Sequence, residues 1–244
     1  MSMTNIKFRL VALLLLIVGC VTPTLAQYDD ESDENYEVEF DQGTFYGVKV
    51  GVSGNNQNWS QGVQSNLLFT PLIDLYAETY NRGYASRLYS QLGFHQRGSS
   101  LGLSSFNNFA SYKFSNVALE LGGKRLAFDK EQWDGWYLLG LRAEYTLFNN
   151  LDQSTTGAFN VVLEEFVNNF NYGVSIGFST EYDMGNYQFF FAEIVFSPDL
   201  SAQYDQTQEI RFVDPINPTQ NRIIQPQQVR NFALELKVGY KWLN

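Results

Sequence analysis

His95 is the only histidine among 244 residues, so any reaction that uses an imidazole as general base must run through it. Its neighbourhood reads Phe94-His95-Gln96-Arg97-Gly98-Ser99-Ser100. Ser99 stands four residues on, and in an extended chain an even separation puts both side chains on one face. With an acid beside them they would form a nucleophile and its base. Gly98 is the expected end of that strand, which would part Ser99 from His95 and leave the imidazole as a structural polar group. Gly122-Gly123-Lys124 lacks the spaced glycine pattern and the following helix of a phosphate loop. One histidine excludes a multi-histidine metal site. No catalytic, cofactor-binding or metal-binding residue is therefore assigned.

The elements that carry these residues are best read from the far end of the chain. Between Arg230 and Asn244 one parity holds Phe232, Leu234, Leu236, Val238, Tyr240 and Trp242, and the other holds Asn231, Ala233, Glu235, Lys237, Gly239 and Lys241. A period of two over that length makes two faces only in a β-strand. At about 3.3 Å per residue and a tilt near 40° it rises about 30 Å, enough to cross an apolar band of about 25 Å. Tyr240 and Trp242 would then lie at a membrane interface.

Seven more segments repeat the pattern: 44–53, 67–79, 84–97, 109–128, 136–148, 170–182 and 187–197. Asn81-Arg82-Gly83, Asp129 to Gly135 and Asp183 to Asn186 supply short turns. Stretches near 54–66, 98–108, 149–169 and 198–229 supply long polar loops, and the two kinds alternate along the chain. The predicted fold class is all-β, an eight-stranded antiparallel transmembrane β-barrel over residues 43–244. Short turns at one end and long loops at the other are the outer-membrane layout, in which the protein's main partner is lipid. Closure leaves no unpaired backbone in hydrocarbon.

The leader fits export. Lys7 and Arg9 precede the apolar run Leu10 to Val18, and Leu25-Ala26-Gln27 offers a cleavage site, so residues 1–26 read as a signal peptide. Ile17-Val18-Gly19-Cys20 is the competing reading, a lipobox that would make Cys20 a lipidated first residue. Residues 27–42 hold Asp29, Asp30, Glu31, Asp33, Glu34, Glu37, Glu39 and Asp41, a like-charged run expected to be a disordered acidic segment. With a formal charge of −10 and no basic stripe, the chain has nothing with which to engage nucleic acid.

The inward parity collects Asp74, Glu78, Glu120, Glu144, Glu181, Glu193 and Glu235 against Lys49, Arg87, Lys124, Arg142, Lys237 and Lys241, with Arg97 near the rim. Eight strands enclose only enough space for side chains to fill it, and buried charges must be paired. An interlocking polar plug is expected in preference to an open pore. A lipid-hydrolase reading, in the manner of small barrels that use His, Ser and an acid on lipid A, meets the objection that an inward His95 does not face lipid. Phe159 to Phe170 has helical spacing and reads as a loop helix capping the mouth or as a docking surface. Pro215, Pro218 and Pro226 make residues 199–229 an expected exposed, extended loop.

In Tyr46-Gly47-Val48-Lys49-Val50-Gly51-Val52, Gln91-Leu92-Gly93-Phe94-His95-Gln96-Arg97-Gly98 and Leu236-Lys237-Val238-Gly239-Tyr240-Lys241-Trp242 the chain resembles the PorT-like outer-membrane β-barrel family, of OmpA- and OmpX-like architecture. The resemblance implies a non-enzymatic structural or interaction component of the outer membrane, accessory to a secretion or transport complex. Its partners would be other envelope proteins and, during insertion, the barrel-assembly machinery. A narrow passive channel is the alternative. Members commonly end in an aromatic such as Phe, whereas this chain ends Trp242-Leu243-Asn244, so Trp242 would serve as the assembly signal.

Overall fold

Period-two segments with an apolar face and a charged face can hide the charged face from lipid only by curling the sheet shut. The computed structural model describes residues 42–60, 65–81, 85–103, 108–153, 164–213 and 221–243. Its strands are β1 (Gln42–Trp59), β2 (Ser65–Asn66), β3 (Leu68–Asn81), β4 (Ser86–Leu103), β5 (Asn108–Lys130), β6 (Trp133–Gln153), β7 (Phe170–Asp183), β8 (Gln188–Pro198), β9 (Tyr204–Gln206), β10 (Ile210–Val213), β11 (Asn221–Ile224) and β12 (Gln227–Leu243). The ring runs β1, β3, β4, β5, β6, β7, β8, β12 and closes through β1 against β12, all pairs antiparallel. Fifteen residue pairs, from Phe45↔Leu243 to Trp59↔Val229, seal that closure. The backbone of the wall is thereby paired within the protein, as hydrocarbon demands.

The outward parity is apolar. Val50, Leu75, Leu139, Leu141 and Leu236 are 51, 61, 63, 71 and 58% exposed, an arrangement that water would penalise and lipid accepts. Among the described residues no helix is long and apolar enough to cross a membrane; the strands do it. Trp133, Tyr137 and Trp242 stand outward on the short-turn half of the wall, with Tyr240 stacked on Trp242 at 5.9 Å between ring centroids.

Several boundaries differ from the sequence reading. Residues 54–59, expected in a loop, continue β1, because Asn55, Gln57 and Trp59 point into the lumen and find partners there. Gly98 does not end its strand. It sits at φ +154°, where a Cβ would collide with the carbonyl oxygen of Tyr112, so glycine is what lets β4 run on to Leu103. The turn placed at Asp129 to Gly135 shrinks to Glu131 and Gln132, since β5 and β6 pair as far as Lys130↔Trp133. A bulge beside Ser115 inserts Leu147 into β6, so that Leu147 and Phe148 both face outward. Over Phe159 to Phe170, where a helix was expected, there is a 3₁₀ turn at Glu164–Phe166, a bridge from Val167 to Tyr204, and the start of β7 at Phe170. The rest of that stretch, 159–163, lies outside the described residues, as do the signal peptide 1–26, the acidic segment up to residue 41, and Arg82-Gly83 of the first turn. Nor is 199–229 wholly exposed: Gln203, Tyr204 and Gln206 are buried, and β10 pairs with β11 in a separate two-stranded sheet.

Candidate functional site

All thirteen charged residues assigned to the inward parity are buried in the lumen, and Arg97, expected near the rim, is 1% exposed. β7 makes room for these long side chains, for its inner face carries Gly173, Ser175, Gly177 and Ser179 between Asn171 and Glu181. At the short-turn end Glu78 and Glu181 form one knot with three cations. Lys124 Nζ lies 2.8 and 2.9 Å from them, Lys241 Nζ 2.9 and 2.7 Å, and Arg87 Nη1 2.8 and 3.1 Å. Lys49 pairs with Glu193 at 2.8 Å and lies 3.9 Å over the ring of Tyr76. Phe189 and Phe191, apolar where polar parity was expected, are accounted for here: Lys241 Nζ is 5.3 Å from the Phe189 ring and Lys49 Nζ 5.5 Å from that of Phe191.

Toward the long-loop end charged side chains form a chain that ends on the imidazole of His95. It runs Asp199 to Arg142 (2.6 Å), Arg142 to Glu144 (2.6 Å), Glu144 to Arg97 (2.9 Å), Arg97 to Glu235 (2.9 Å), Glu235 to Lys237 (2.8 Å), Lys237 to Asp74 (3.2 Å) and Asp74 to His95 (2.6 Å). Each ion from Arg142 to Lys237 is thus held between opposite charges, which is what offsets the loss of its water. Glu120 accepts instead from Tyr89 Oη at 2.6 Å and Ser175 Oγ at 2.7 Å.

His95 and Ser99 do share the inner face, since β4 continues past Gly98. They are not hydrogen-bonded as nucleophile and base. His95 Nε2 is engaged by Asp74, its Nδ1 lies 3.5 Å from Arg97 Nη2, and Ser99 Oγ donates to Gln57 Oε1 at 2.6 Å. Among the described residues no three His, Cys, Asp or Glu side chains are placed to hold a metal ion.

Above the ions lies a neutral layer that the sequence reading missed. Gln57 Nε2 donates to Asn231 Oδ1 (2.9 Å), Asn231 Nδ2 to Asp199 Oδ2 (2.9 Å) and Gln203 Oε1 (3.2 Å), and Gln203 Nε2 to Thr146 Oγ1 (3.2 Å). Trp59, Tyr112, Phe114, Tyr204 and Val229 close the mouth, with Phe166 and Val167 against them. These residues gave no alternation to detect, because both faces are polar from Asn55 to Asn58. The one signal was parity: Trp59 stands an even step from Lys49. At the opposite end Phe45 packs edge-on to Tyr80 at 5.2 Å and Phe189 at 5.3 Å. The lumen is capped by aromatic rings at both ends.

Among solved structures the chain is similar to the outer membrane protein OprG from Pseudomonas aeruginosa, at TM-score 0.52 and 9% identity over 82% of this chain and 96% of that one. The fold is that of an outer-membrane β-barrel. The outer membrane protein AlkL also matches, at TM-score 0.42 and 11% identity over 88% of this chain and 98% of that one. No family model and no curated protein sequence matches the chain.

Proposed function

We propose that the protein is a closed, non-enzymatic barrel of the bacterial outer membrane, serving as a structural or interaction component accessory to a secretion or transport complex of the envelope. The observation behind this reading is the filled lumen: every strand of the wall contributes buried side chains, and the chain from Asp199 to His95 is continuous, with no contact longer than 3.2 Å. A barrel so plugged has its external loops and its ends left for work. The PorT-like resemblance directs the role toward protein secretion, with other envelope proteins as partners. Ser99 bound to Gln57, and His95 bound to Asp74, argue against hydrolysis of lipid.

The test is reconstitution in planar bilayers beside cross-linked co-purification from outer membranes. Silent bilayers and a recurrent envelope partner are the expected results. Stepwise conductance would replace the reading with a narrow channel. Lipid deacylation lost in His95→Ala would replace it with an enzyme.

A further inference from the structure

The outward face of the wall is not equally apolar all the way round. On β6 an unbroken apolar row runs from Tyr137 to Phe148. At about 3.3 Å per residue and a tilt near 40° it covers about 25 Å, the height of the apolar band such a barrel presents to lipid. On β5 the row is only Val117, Leu119 and Leu121, bounded by Ser115 and Gly123, which by the same measure stand about 20 Å apart. The shortfall lies at the long-loop end. There Phe148, 69% exposed, stands opposite Ser115, and beyond β4 the next strand, β3, holds Phe69 outward at 70%. Between those two rings the outward pairs of β4 and β5 are Gln96↔Ser115, Gly98↔Lys113 and Ser100↔Ser111, without one apolar side chain.

Within this notch Gln96 Nε2 donates to Ser115 Oγ at 3.3 Å. Among the described residues Lys113 enters no ion pair, and Gly98, its cross-strand neighbour, adds no side chain to cover it. Asp152, placed opposite Ser111 by the register, stands farther from the membrane centre. Hydrocarbon laid against the notch would leave the rest of the Gln96 amide and the Lys113 ammonium unmatched. What covers it must bring hydrogen-bonding groups and negative charge down below the rim.

We infer that this face of β4 and β5 is a binding site for a phosphorylated glycolipid of the outer leaflet, the leaflet that the long-loop end meets. Lys113 takes a phosphate, the Gln96 amide and the hydroxyls of Ser100, Ser111 and Ser115 take sugar hydroxyls, and the acyl chains lie over Phe94 and Val117 below. The unpaired cation supplies the charge complementarity, and the shortened apolar row supplies the depth at which a bulky sugar head can sit. The site adds a lipid ligand to the closed barrel and needs no secretion partner.

Native mass spectrometry of the full-length protein released from detergent micelles tests this, after incubation with bisphosphorylated lipid A, with the same lipid A dephosphorylated, or with phosphatidylglycerol. Wild type is expected to keep one bisphosphorylated lipid A per barrel and to keep either other lipid about tenfold less. Lys113→Gln should lower retention of bisphosphorylated lipid A by a similar factor. Gln96→Leu with Ser115→Leu should abolish it by extending the apolar row, and Arg125→Gln, outward at the short-turn end, should leave it unchanged. Folding of each variant is checked by heat-dependent gel migration. Equal retention of lipid A and phosphatidylglycerol overturns the inference, as does a folded Lys113→Gln that keeps lipid A like wild type, or an equal loss in Arg125→Gln. A two-barrel species without lipid A also overturns it and assigns the face to a second copy of this chain. If the variants do not fold, the preference of wild type between phosphorylated and dephosphorylated lipid A decides alone.

Discussion

The ion plug of the lumen and its mouth are both buried and both polar, yet they are built from different chemistry. In the plug, at its short-turn end, Glu78 and Glu181 share Lys124, Lys241 and Arg87, and removal of one member strands opposite charges in a low-dielectric space. At the mouth, Gln57, Asn231 and Gln203 exchange neutral hydrogen bonds beneath aromatic rings, and loss of one costs far less. A lost side chain therefore costs most in the ion plug and least at the mouth.

That contrast is sharpest in Lys124→Ala. With Glu78 and Glu181 losing a partner at 2.8 and 2.9 Å, stability in a urea titration of the refolded barrel should fall by about 3–5 kcal/mol. A drop below about 1 kcal/mol would mean that water reaches the knot and that the plug and the mouth do not differ in this way. Leu141→Arg asks whether charge is tolerated on the other side of the same wall. Leu141 is 71% exposed and adjoins inward Arg142, and its substitution should cost about 2–4 kcal/mol if it faces the bilayer midplane. Asn231→Ala removes two donated bonds and one accepted bond from the mouth; a loss of about 1–3 kcal/mol is expected, smaller than for Lys124→Ala in the same titration. Equal losses would erase the distinction between the two layers. Trp59→Phe is expected to be mildest, about 1 kcal/mol or less, because the lost N–H had no partner and only packing area is given up.

Legibility in the sequence followed the same division. Where lipid lies outside and ions inside, as along Leu236-Lys237-Val238-Gly239-Tyr240-Lys241-Trp242, each residue type announces its side, and the charged lumen was readable residue by residue. Where the wall rises past the lipid the outer face turns polar as well. Residues 54–59 and 199–206 then resemble loop, although Trp59, Gln203 and Tyr204 are among the most enclosed side chains at the mouth. Gly98 misled for another reason: its positive φ ends many strands, and only the carbonyl of Tyr112 close beside it shows that here the glycine keeps a strand going.

The sequence by itself determined the eight-stranded wall, its apolar outside and the membership of its ion plug except Asp199, which lay in an expected loop, since alternation is a local property that a polar lumen on one side and lipid on the other enforce position by position. Only the tertiary structure decided who pairs with whom. The chain from Asp199 to His95 joins residues from four strands, β3, β4, β6 and β12, and the residue that follows β8, and its order depends on how far each side chain reaches across the closed ring, a distance that no spacing along the chain encodes.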